Sequence, residues 1–188
     1  MSTRFTQALT YATEIHREQT KGPRETPFIA HPLGVASLVI LLGGDETQAV
    51  VALLHDTIEA VSRETLTAHF GAEISRRAFL FETPAFENTG WRSGRIAYQN
   101  HLKTLEASHL LVVACEEMHE LREWTLDLQI APVQTWQKAS APAGEWIWHF
   151  TEMGQILREK LGIQYRAAAE AYGRALADFS RAAGQPAR

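Results

Sequence analysis

The stretch Val50-Val51-Ala52-Leu53-Leu54-His55-Asp56-Thr57-Ile58-Glu59-Ala60 constrains this chain more than any other. An apolar run leads directly into three polar residues. Read as one helix at about 100° per residue, it puts His55, Asp56 and Glu59 within roughly 100° of arc. The apolar run draws the helix into the core, and the three polar groups go in with it. A buried carboxylate beside a buried imidazole needs a partner, because leaving either unpaired costs several kcal/mol. A divalent metal ion is one such partner. A hydrogen-bonded His/Asp pair closed inside the core is the other.

The remaining segments read as helices in series. Ser2 or Thr3 caps a first helix carrying Phe5, Leu9, Ala12 and Ile15 at helical spacing, with His16 near the same face. Lys21 to Pro27 is loop by its Gly and Pro content. Pro32 suits a first helical turn, which places His31 at the start of a second helix that Gly43-Gly44 ends. Asp45 is the N-cap expected for the helix with the organising stretch. Short helices follow over Thr65–Phe70 and Ala72–Phe81, then a loop over Pro84–Gly90, then a helical period from Trp91 to Leu105. Leu110 to Cys115 is the second strongly apolar run. On periodicity alone it fits a buried strand, but Glu116 to Arg122 follow without a breaker, so one helix to about Leu128 is expected. Pro132 to Gly144 reads as irregular, Trp146–Leu161 as an amphipathic helix and Tyr165–Ala182 as a last one. No alternating strand pattern is present, so the class is all-α, a bundle of about eight helices.

A chain of 188 residues buries a full core as a single domain over 1–188, with a core of about 5–160 and a C-terminal helix and tail over 163–188. The net charge of −4 without a basic block argues against a nucleic-acid surface, while leaving room for a small phosphate-bearing ligand whose charge a metal offsets. The single Cys115 allows no disulfide framework, and with no signal-peptide pattern a cytoplasmic protein is expected. No apolar run approaches the ~18 residues of a membrane span. The aromatic stripe Trp136, Trp146, Trp148, Phe150 reads as core packing or as a subunit contact, which leaves a homodimer open.

In order along the chain stand His16-x-x-Gln19, Pro27-Phe28-Ile29-Ala30-His31-Pro32-Leu33-x-Val35-Ala36, Ala52-Leu53-Leu54-His55-Asp56, Phe70-Gly71 and Trp91-x-x-x-Arg95-x-x-Tyr98. This ordered set resembles the HD-domain metal-dependent phosphohydrolases, and most of all the small alarmone hydrolases. Those remove the 3′-pyrophosphate from guanosine tetra- and pentaphosphate, usually with manganese. The resemblance implies a helical HD fold, a divalent metal (Mn²⁺ first, with Fe²⁺, Zn²⁺ or Ni²⁺ as alternatives) and a small phosphorylated nucleotide as substrate. It implies His31, His55 and Asp56 as metal ligands, with Glu116 at the position of the family's fourth ligand, an Asp. Glu59 would orient or deprotonate the attacking water. Lys21, Arg24, Arg95 and His119 would face the substrate.

The chain departs from the family pattern at several of these places. Glu116 reaches one methylene further than Asp, although its oxygens suit a hard or borderline cation equally. The family's Glu-Asp pair is Glu59-Ala60, and losing one carboxylate removes assistance worth on the order of 10²–10⁴ in rate. The family's Arg-Lys-Gly loop is Lys21-Gly22-Pro23, with Arg24 as a replacement cation; Ile96 stands for a Lys, and Glu120 for an Asn. Two functions follow from this pattern: hydrolysis of a phosphorylated nucleotide or related phosphate ester or pyrophosphate, or a catalytically impaired relative serving as a ligand-sensing or interaction domain.

Overall fold

A computed structural model describes residues 2–82 and 90–184. Among these residues the chain forms ten α-helices, two 3₁₀ turns and one two-stranded ribbon, an all-α architecture with slightly more helices than expected. Helix α1 (Thr3–Ile15) begins where the Ser2 hydroxyl accepts from the backbone N–H of Arg4 at 3.1 Å. The segment read as plain loop instead pairs β1 (Thr20–Lys21) with β2 (Thr26–Pro27), antiparallel. Helix α2 (Ala30–Leu41) carries His31 and Pro32 in its first turn, as expected. Helix α3 (Glu46–Leu54) opens with a reciprocal capping box between Asp45 and Gln48.

The organising stretch is not one helix. Helix α3 stops at Leu54 and His55–Glu59 continues as a 3₁₀ turn. Two side chains bond the backbone locally there: the His55 ring to the Ala52 carbonyl at 2.8 Å and the Thr57 hydroxyl to the Leu54 carbonyl at 2.7 Å. Such bonds compete with continuation of the α-helix. With about three residues per turn, Asp56 and Glu59 fall on one edge and His55 about 120° away. Consequently the core takes in His55, leaves Asp56 partly open and leaves Glu59 exposed. The expectation that all three polar groups are buried together holds for His55 alone.

Helices α4 (Arg63–Phe70) and α5 (Ala72–Ala78) follow, then a 3₁₀ turn over Phe79–Phe81. Of the expected Pro84–Gly90 loop, all but Gly90 lies outside the described residues. Helix α6 (Trp91–Leu102) precedes the central α7 (Ala107–Ile130), a single 24-residue helix as expected. Leu110 to Cys115 bury its first half; full burial of such side chains contributes about 1.5–3 kcal/mol for each large one. The segment expected to be irregular forms α8 (Pro132–Lys138), started by Pro132 at its first position. Helices α9 (Ala143–Lys160) and α10 (Arg166–Ala183) complete the bundle, and α7 packs against α2, α3, α9 and α10. The aromatic stripe is largely core: Trp146 and Phe150 are buried, and Trp124 lies 5.0 Å from Trp146 and 5.5 Å from Trp136.

Beside this aromatic layer the fully buried His149 ring accepts at Nδ1 from the Gln99 side-chain amide at 3.1 Å. Burial, reinforced by the Arg95 charge, holds its pKa down at about 3 against an ordinary 6.5. The depressed value means that folding favours the neutral ring. Its contribution is therefore fully present above pH 6.5 and is lost as pH falls towards 3. In thermal melts, the gap between the wild-type Tm and that of His149→Gln should narrow steadily between pH 6.5 and 3. A gap that is constant or widens on acidification would show that His149 is not held neutral.

Candidate functional site

Three elements deliver the polar cluster: the first turn of α2, the 3₁₀ turn after α3, and the middle of α7. His31 points Nδ1 at the Glu123 carboxylate, 2.9 Å away. Glu123 also pairs with the Lys21 ammonium at 3.0 Å and lies 3.6 Å from His119 Nδ1. One carboxylate thus faces three donors, and together they hold its pKa far below the usual range despite burial. A carboxylate at Nδ1 assigns the imidazole proton to that nitrogen and leaves a lone pair on Nε2. His55 is oriented the same way by a backbone carbonyl: its Nδ1–H donates to Ala52 at 2.8 Å.

Both free Nε2 atoms turn toward Asp56, whose Oδ2 lies 3.8 Å from His31 Nε2 and 3.2 Å from His55 Nε2. Burial drives the His55 pKa down. Burial alone would raise Asp56, but His55 and His31 beside it outweigh that and hold it low. Glu116 comes in from α7, and one ligand atom each from His31, His55 and Glu116 lie within 4.8 Å of one another. His55 Nε2, Asp56 Oδ2 and Glu116 Oε2 are buried and have no hydrogen-bond partner. Lone pairs facing one another without a donor are costly to bury, so the cluster is arranged for an electron-pair acceptor between them.

Four expected ligand positions, His31, His55, Asp56 and Glu116, therefore stand together. His55, Asp56 and Glu116 border a chamber of about 120 Å³, whose wall also includes Glu59, Glu117, Glu120 and Arg95. Burial pushes the Glu116 carboxyl well up, with Glu117, Glu120 and Asp56 adding to it. Burial also raises Glu117, to about 8, with Glu120 contributing. Glu59 stands exposed at the rim. Arg95 is in the wall, its guanidinium 4.9 Å from the Trp146 ring centre.

The expected phosphate contacts fare differently. Arg24 does not offer a free charge to the chamber: it is paired with Asp127 at 2.5 Å and lines a neighbouring cavity of about 400 Å³. Lys21 is near the cluster, 3.3 Å from His31 Nδ1, but its charge is engaged by Glu123. His119 packs against His31, with 3.2 Å between their Nδ1 atoms. Its ring fills the space beside Gly34, where a Cβ would collide with it, which is why α2 and α7 approach so closely there. Glu123, Glu117 and Asp127 escaped the reading of the sequence. The available signal was spacing: residues 116, 120, 123 and 127 share one face of a single helix.

Residues 8–77 match the HD domain family. Over 73 residues the chain is 42% identical to the guanosine-3′,5′-bis(diphosphate) 3′-pyrophosphohydrolase of Xenopus tropicalis, a match covering 36% of this chain and 41% of that protein. With the human protein of the same name it is 39% identical over 75 residues, covering 37% and 42%. The chain thus matches about two fifths of the length of these relatives. Among solved structures it is similar to one described as "A metazoan ortholog of SpoT hydrolyzes ppGpp and plays a role in starvation responses". That match has a TM-score of 0.74 at 20% identity, covers 93% of this chain and 96% of that one, and speaks for the fold. A Listeria monocytogenes structure gives a TM-score of 0.69 at 16% identity, over 78% and 96%. The segment that matches the HD domain family, residues 8–77, carries His31, His55 and Asp56, and the helical fold around it is similar to that of the two solved structures.

Proposed function

We propose that this protein is a metal-dependent phosphohydrolase acting on a phosphorylated nucleotide or a related phosphate ester or pyrophosphate. The observation that supports it most is the set of buried, unpartnered ligand atoms on His55, Asp56 and Glu116, joined by His31. Two imidazoles and two carboxylates are a donor set that fits a borderline divalent cation, Mn²⁺ first, with Fe²⁺, Zn²⁺ and Ni²⁺ as alternatives. When bound, such an ion supplies Lewis acidity, making water a better nucleophile and drawing charge from a phosphoryl oxygen.

The chain's own residues do the rest. Glu123 holds the His31 proton on Nδ1, and the Ala52 carbonyl holds that of His55, so that both Nε2 atoms remain available. Glu59 at the rim accepts a proton from the incoming water and orients it. Arg95 meets the phosphoryl oxygens from the opposite wall, fixed by the faces of Trp91 and Trp146. The relatives' names specify guanosine-3′,5′-bis(diphosphate), and a nucleotide is the substrate class we adopt from them. A second reading, a catalytically impaired relative that senses a ligand, is favoured by Ala60, which puts no second carboxylate beside Glu59. No helix among the described residues is long and apolar enough to cross a membrane, and we place the protein in the cytoplasm.

Titration calorimetry of purified protein with Mn²⁺ should show one site per chain, and His55→Ala should abolish it. Absence of stoichiometric binding for all four ions would end the hydrolase reading. Robust turnover by the unmodified chain would instead exclude the impaired reading. Glu123→Ala should weaken metal binding about 10- to 100-fold, because the outer partner of a ligating histidine sets its tautomer and orientation. The same variant should lose about 2 kcal/mol of stability, as His31 and Lys21 lose a charged acceptor. Unchanged affinity would show that His31 is oriented by something else.

A further inference from the structure

Helix α6 sends two side chains into the chamber wall, Arg95 and, one turn later on the same face, Tyr98. Buried tyrosines ordinarily find a partner for the hydroxyl, because an unmade hydrogen bond in the interior is costly. Tyr172 does so: it is 1% exposed and donates to the Phe150 carbonyl at 2.9 Å. Tyr98 is 6% exposed and its ring belongs to the apolar core. Among the described residues its hydroxyl has no hydrogen-bond partner, whereas its chain neighbour Gln99 turns away from the chamber to His149. A phenylalanine would close this wall equally well, so packing does not account for the hydroxyl.

Phosphoryl oxygens accept hydrogen bonds, so a chamber that takes a phosphorylated nucleotide has to offer donors. The carboxyl groups of the wall donate only after taking up a proton. His55 has already given its Nδ1 proton to the Ala52 carbonyl at 2.8 Å, and Ile58 and Phe81 have none to give. Among the described residues of the wall, Arg95 and Tyr98 are therefore the side chains whose donors need no proton uptake. We infer that Tyr98 is a further substrate-binding residue, its hydroxyl donating to a phosphoryl oxygen of the nucleotide beside the one that Arg95 meets. This deepens the hydrolase reading and rests on it. The core fixes the ring before any ligand arrives, so the donor is held in place with little left to order on binding. Being neutral, it adds a hydrogen bond without a charge for the neighbouring carboxylates to capture.

Tyr98→Phe keeps the ring and removes the donor. Titration calorimetry of the full chain with inorganic pyrophosphate, run with Mn²⁺ and again without it, should show binding about 10- to 100-fold weaker in the variant wherever the wild-type chain binds. The kcat/KM for guanosine-3′,5′-bis(diphosphate) should fall by a similar factor. Affinity for Mn²⁺ should be unchanged and the Tm should not drop, whereas Tyr172→Phe should lower the Tm by losing its bond to Phe150. With tyrosine labelled with ¹³C at Cζ, one of the four signals should move when pyrophosphate is added, and that signal should be missing from Tyr98→Phe. An unchanged pyrophosphate affinity in the variant overturns the inference. So does Mn²⁺ binding weakened about 10-fold or more, which would make the hydroxyl a support for a metal ligand. A Tm loss matching that of Tyr172→Phe would make it a structural group and overturns the inference too, as does a wild-type chain that binds pyrophosphate in neither condition. Failure to bind any of the four ions removes the hydrolase reading separately, because pyrophosphate binding without Mn²⁺ still decides the role of Tyr98.

Discussion

The site depends on two hydrogen bonds that point away from it. His55 gives its Nδ1 proton to the Ala52 carbonyl, and His31 gives its own to Glu123. Each bond is ordinary in length, but each decides which nitrogen keeps a lone pair, and both lone pairs end up beside Asp56. A carbonyl can only accept, and an ionised carboxylate can only accept. No other tautomer satisfies both partners, so the inward direction of Nε2 follows from groups outside the cluster. The resulting convergence of lone pairs is unfavourable by itself. The fold tolerates it because the apolar runs of α3 and α7 on either side contribute far more than the cluster costs.

Helix α7 has two roles that pull in different directions. Its first half is apolar and anchors the bundle; its second half presents a row of carboxylates to α2, the 3₁₀ turn and the hairpin. Those carboxylates do different work according to what each meets. Glu116 meets the two histidines, Glu123 holds Lys21 and His31, and Asp127 holds Arg24. Glu117 Oε2 lies 3.9 Å from His149 Nε2, and burial raises the pKa of its carboxyl to about 8. A half-buried pair such as Lys21–Glu123 binds its partners more firmly than an exposed surface pair, which contributes about 0–1 kcal/mol. The cations near the site are therefore committed to the protein itself before any ligand arrives.

Much of the architecture was legible along the chain, because helix ends are written locally. Ser2 and Asp45 cap helices through their own side chains, and Gly43-Gly44 and Gly71 close them, whereas the Ser62 cap that starts α4 was not read. The order of His31, His55, Asp56 and Glu116 was legible for the same reason: each sits at a recognisable place in a local pattern. Three local features were misread, one of them the loop over Lys21–Pro27, which contributes to a two-stranded ribbon. The 3₁₀ turn at His55–Glu59 arises from side-chain bonds to backbone carbonyls that hydrophobic periodicity does not report. Helix α8 is short, and its Pro132 looked like a breaker where it serves as a first-turn residue.

Sequence by itself determined the all-α class, the placing of the long helices and the apolar runs that form the core. Only the tertiary structure decided which charges neutralise which. Arg24 and Asp127, or Lys21 and Glu123, are far apart in the chain, and the strength of a charge pair depends on distance and burial in space. Spacing within one helix shows that two carboxylates share a face; it does not show what that face will meet. The difference between a cation left free for phosphate and one already satisfied is therefore a property of packing, here of the hairpin laid against α7.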